Sequence, residues 1–143
     1  MPKLEEIWAR KKEASAQVSA QTRALALGFL AVAWALLTAH DQPLRSMAEQ
    51  IPSYLLLVLA AVSVLVLVLD MLQYVAITKM AEDTYLKAEK ENQTNDVLYD
   101  PQSRAYKAQA LFYHAKFYAL SAAAAVLLAI FVLLFLQVHP PPR

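Results

Sequence analysis

From Tyr54 to Leu69 the chain runs for sixteen residues without a charge, and its only hydroxyls there are Tyr54 and Ser63. Such a segment has no polar face to turn to water. Continued to Thr78, it reaches the roughly 17–25 residues that carry a helix across the hydrocarbon layer. Two further apolar blocks, Ala24–Ala39 and Phe117–Val138, share this character. Apolar residues make up 59% of the chain, above the roughly 45–50% of soluble domains, and the excess sits in those three blocks. A soluble three-helix bundle would need a polar stripe on every helix, and Leu55–Leu69 has none.

These features predict an all-α integral membrane protein, a single membrane domain over residues 1–143 with transmembrane helices at 23–39, 54–78 and 117–138. Residues 1–22 read as an amphipathic helix: Leu4, Ile7, Trp8, Ala14 and Val18 recur at helical spacing, and Glu5 and Glu6 suit a first turn. The stripe fits either the headgroup layer, with Trp8 as anchor, or packing against other water-exposed helix. About twenty polar residues precede the first apolar block, and no good cleavage site follows Leu37, so that block is expected to stay in the mature protein.

The loop 40–53 carries Pro43 and Pro52, each suited to a helix start, with Leu44, Met47 and Ile51 at helical spacing between them. No Gly or Pro interrupts Ser53–Glu91. One helix over that range would be about 58 Å long, roughly twice the bilayer core. It is therefore expected to project beyond the membrane. Residues 92–100 read as a turn, and Asp100-Pro101 as the start of a helix running to Val138. Tyr106, Ala110, Tyr113 and Phe117 would then face Tyr85, Met80 and Ile77, so that helices 2 and 3 extend into an antiparallel helical hairpin over 79–116. His139 and the prolines after it form a short tail, 139–143.

Lysine and arginine set the threading. Lys3, Arg10, Lys11, Lys12 and Arg23 lie before the first span, and Lys79, Lys87, Lys90, Arg104, Lys107 and Lys116 lie in the hairpin. With three spans these share one side, and only Arg45 and Arg143 fall on the other. The N-terminus and the hairpin are accordingly expected in the cytoplasm and the C-terminus outside, in a bacterial-type inner (plasma) membrane.

Asp70 is the sole carboxylate in the three apolar blocks. A charge at that depth calls for a partner or a function. Ser63, Asp70 and Tyr74 share a helical face with Gln73 at its edge, making an intramembrane polar cluster. Arg23, Lys116 and Tyr118 begin the flanking spans at the same level, and are the expected charge partners. Ala24, Gly28, Ala31 and Ala35 form a small-residue face on the first span, as do Ser121, Ala125 and Ala129 on the third. Small residues let helices approach closely in lipid, so these faces suit an internal or homo-oligomeric contact.

The size, the three spans, the amphipathic N-terminal helix and the inward N-terminus look like those of prokaryotic diacylglycerol kinase. That resemblance implies a trimeric enzyme whose second span carries Glu-x-x-Asn-x-x-x-Glu for catalysis and Mg-nucleotide binding. The matching positions here are Asp70, Gln73 and Ile77, with isoleucine in place of the second acid, and Glu82 and Asp83 out of register. The likeness is one of topology, which by itself does not carry function.

Other chemistry finds little footing. There is no cysteine, and His40, His114 and His139 lack ligand spacing, so no metal site or cofactor is expected. The hairpin mixes its six cations with Glu82, Asp83, Glu89, Glu91, Asp96 and Asp100, which argues against a nucleic-acid partner. No catalytic residue is assigned. The expected function is a non-enzymatic scaffold or accessory subunit in the lipid bilayer, homo-oligomeric, with the 79–116 hairpin open to a cytoplasmic protein partner. The alternatives are an oligomeric channel or pore-forming effector lined by Ser63, Asp70 and Gln73, and a lipid-modifying enzyme of diacylglycerol-kinase-like topology.

Overall fold

The computed structural model describes residues 4–90 and 101–138, without the side chains of residues 4–12, Ala88 and Val138. Its helices are α1 (Leu4–Leu37), the short α2 (Leu44–Glu49), α3 (Ser53–Lys90) and α4 (Arg104–Val138). Among the described residues there is no strand. Segments within α1, α3 and α4 are long and apolar enough to cross a membrane: Glu13–Leu37, Ser53–Lys87 and Arg104–Gln137.

Several boundaries differ from expectation for local reasons. The amphipathic segment and the first span form one helix, because no residue between Leu4 and Leu37 breaks it. Leu4, Ile7 and Trp8 lie outside the described side chains. The last long helix begins at Arg104 instead of Pro101, with Ser103 as its cap. Its Oγ accepts the Tyr106 N–H at 3.1 Å and its carbonyl accepts the Lys107 N–H at 3.2 Å. The turn 92–100 lies outside the described residues. Ile51 leaves the expected loop stripe for the core, while Leu44 and Met47 stay exposed.

One helix organises the rest: α3 packs along both α1 and α4, which meet each other over only a short length. The packing follows a seven-residue repeat. On α3 the buried positions are Leu56, Leu59, Ser63, Val66, Asp70, Gln73, Ala76 and Met80, all on the repeat except Ala76, which stands one residue off it. On α1 they are Ser19, Thr22, Ala26 and Ala33, and on α4 Lys116, Ala123 and Ile130. Alternating steps of three and four keep one seam facing a partner when helices cross at a shallow angle. Tyr85, expected in this seam, is exposed; Met80 and the half-buried Thr84 carry the repeat instead.

The seam divides into two halves of different chemistry. One is apolar: Ala33, Ile51, Leu56, Leu59, Ala123 and Ile130 form a single cluster, flanked by Phe29, Leu36, Leu127 and Leu134. Next to it, Gln137 Nε2 donates to the Gln50 carbonyl at 3.2 Å, joining the end of α4 to the loop before α3. The other half holds Ser19, Thr22, Asp70, Gln73 and Lys116.

Candidate functional site

Asp70 occupies the seam because the repeat that buries Leu56, Leu59, Ser63 and Val66 reaches it next. The same rule brings Ser19 from α1 and Lys116 from α4 to its level. Lys116 is fully buried, and its Nζ donates to Asp70 Oδ1 at 2.7 Å and to Ser19 Oγ at 3.2 Å. The Ser19 hydroxyl in turn donates to Asp70 Oδ1. Arg23, four residues beyond Ser19 and so on the same side of α1, sets its Nε 3.3 Å from Asp70 Oδ2. Both carboxylate oxygens are thus engaged, by donors from two other helices.

Aromatic rings close the cluster. The Lys116 ammonium lies 5.6 Å from the Tyr113 ring centroid and 6.0 Å from that of Phe117. The Arg23 guanidinium lies 5.5 Å from the centroid of Tyr74, within the range of attraction between a cation and a π face. Gln73, one turn from Asp70, is buried, and its Oε1 has no hydrogen-bond partner among the described residues. Thr22 is also buried but returns its hydroxyl to the Val18 carbonyl at 2.9 Å.

The expected site residues therefore divide. Asp70, Arg23 and Lys116 come together. Ser63 is in the seam but apart from the cluster: its hydroxyl donates to the Leu59 carbonyl of its own helix at 2.7 Å. Tyr74 and Gln73 exchange roles, Gln73 entering the seam and Tyr74 standing half exposed at its edge. Tyr118 is 78% exposed, two residues and so about 200° round α4 from Lys116, and is no partner of Asp70. Ala24, Gly28, Ala31 and Ala35 are all exposed on the side of α1 away from α3, and a Cβ at Gly28 would meet nothing within 4 Å. Ser121, Ala125 and Ala129 likewise lie on the outer side of α4, and the small residue that α4 buries in the seam is Ala123, in the apolar half.

Ser19 was not foreseen as a partner of Asp70. The available signal was the three-and-four spacing of Ser19, Thr22, Ala26, Phe29 and Ala33, which crosses the boundary between polar and apolar sequence. Chemically, the arrangement holds a carboxylate and an ammonium in fixed register away from water. Among the described residues no three His, Asp or Glu side chains converge as a metal site would require. Set against known protein families, curated proteins and solved structures, the chain matches none.

Proposed function

We propose that the protein is a non-enzymatic membrane scaffold or accessory subunit, threaded with its N-terminus and the 79–116 segment in the cytoplasm of a bacterial-type inner membrane. The engagement of both Asp70 oxygens by Lys116, Ser19 and Arg23 carries this reading. Three of the roughly four acceptor sites of the carboxylate are taken by donors from two other helices, an arrangement suited to fixing how the helices face one another. The threading rests on the charge asymmetry of the loops. Beyond Met80, α3 exposes Tyr85 and Leu86, and the facing part of α4 exposes Tyr106 and Leu111, a surface suited to a cytoplasmic partner. The outward small-residue face of α1, with open space at Gly28, favours contact with a second copy.

The channel reading draws less support, because Ser63 is satisfied by its own helix and apolar side chains fill the seam from Leu56 to Leu59. The kinase reading lacks its second acid, since Ile77 stands there, half-buried. Ion flux in liposomes decides between scaffold and pore. The scaffold is expected to leave flux at the level of empty vesicles, and flux abolished by Asp70→Asn would replace it with a pore. Asp70-dependent phosphorylation of lipid by the purified protein would reinstate the enzyme.

A further inference from the structure

The buried cluster carries an unbalanced charge. Among the described residues Asp70 alone faces both Lys116 and Arg23, leaving one formal positive charge in excess. The described part of α4 contains no acidic residue at all. The acidic residues nearest along the other two helices, Glu13 and Glu82, stand ten residues from Arg23 and twelve from Asp70, about 15 and 18 Å along the helix axes. An excess charge beside apolar sequence draws an anion from its surroundings.

Geometry says where that anion sits. Lys116 is wholly enclosed and can receive nothing from outside, whereas the Arg23 side chain is 45% exposed. Its guanidinium is held at Nε by Asp70 and across its face by the Tyr74 ring. Its terminal nitrogens make no hydrogen bond among the described residues, which leaves a planar pair of donors on a half-exposed side chain whose Nε is already fixed. That fork matches two oxygens of a phosphate. Arg23 also immediately precedes the apolar run of α1, the level at which lipid headgroups lie if the helix spans the membrane as proposed above.

We propose that Arg23, braced by Asp70 and Tyr74, is a binding site for a phosphate group, supplied by an anionic phospholipid of the leaflet on the lysine-rich side. The lipid neutralises the charge that Asp70 leaves unpaired, and so completes the cluster from outside the protein.

Native mass spectrometry of the detergent-solubilised protein tests this, with phosphatidylglycerol and phosphatidylcholine offered in turn. The wild type is expected to retain phosphatidylglycerol preferentially, and Arg23→Gln to weaken that retention about tenfold, the effect of losing a charged hydrogen-bonding group. Arg23→Lys keeps the charge but not the fork, and is expected to fall between the two; it serves as the test if Arg23→Gln does not fold. Equal retention of the two lipids by the wild type, or a preference unchanged in whichever variant folds, overturns the proposal. Displacement of phosphatidylglycerol by millimolar inorganic phosphate overturns the lipid assignment in favour of a soluble phosphate. The membrane reading fails separately, if alkaline washing releases the protein without detergent.

Discussion

The two halves of the seam obey one spacing rule with opposite chemistry. Around Leu59, Ala123 and Ile130 the helices meet through dispersion contacts between side chains that could equally face lipid. Around Asp70 they meet through a carboxylate, an ammonium, a hydroxyl and a guanidinium. In lipid, apolar contact discriminates weakly among registers, because the hydrocarbon tails are as apolar as leucine. A buried ion pair discriminates strongly, because any slip strands a charge. The polar half therefore sets which residues face one another, and the apolar half fills the space that this alignment defines.

Removing the centre of the polar half should have the largest effect. Asp70→Ala leaves Lys116 buried without its counter-charge, and by analogy with broken buried pairs should cost about 3–5 kcal/mol, read as a lowered unfolding midpoint in detergent. A cost below about 1.7 kcal/mol, the upper range of hydrogen bonds measured in a membrane protein, would mean that the unfolded helices find substitute partners. Leu59→Ala, in the apolar half, should cost about 2 kcal/mol in the same assay, at the low end of core truncations. Equal losses at Leu59 and Asp70 would erase the contrast between the halves.

The double variant Asp70→Asn/Lys116→Met removes both charges together. It should be more stable than the sum of its single variants implies, by a coupling of about 1–3 kcal/mol in a double-mutant cycle. Ser19→Ala should cost about 1 kcal/mol, since Asp70 keeps Lys116 and Arg23. The smallest effect belongs to Gln73→Leu. Its Oε1 has no partner among the described residues, so an apolar replacement should leave the melting point unchanged or raise it.

Much of this arrangement was legible in the residues. Asp70 stands out as the one acid in the apolar blocks, and Arg23 and Lys116 as the cations level with it. Helix length was equally plain, since Ser53–Lys90 contains neither glycine nor proline. The face was harder to read. Outward-facing and seam-facing positions are both apolar, so the three-and-four repeat is camouflaged along Leu55–Leu69. Small residues were an uncertain guide for the same reason. Ala123 and Ala33 line the seam, while Ala24, Gly28, Ala125 and Ala129 face outward, and composition alone does not separate the two sets. At α4 the side-chain cap is Ser103, which satisfies an otherwise unpaired backbone donor.

By itself the amino-acid order determined that the chain forms long helices, that three are greasy enough for a bilayer, and that a single carboxylate lies within their apolar blocks. Period, length and the absence of breakers are local properties, and they survive without knowledge of any neighbour. Only the tertiary structure decided that Ser19 and Lys116 converge on Asp70, that Tyr118 turns away and that Gln73 is buried with no hydrogen bond to its carbonyl oxygen among the described residues. Those outcomes depend on how each helix is rotated about its axis, and that rotation is fixed only by packing one helix against another.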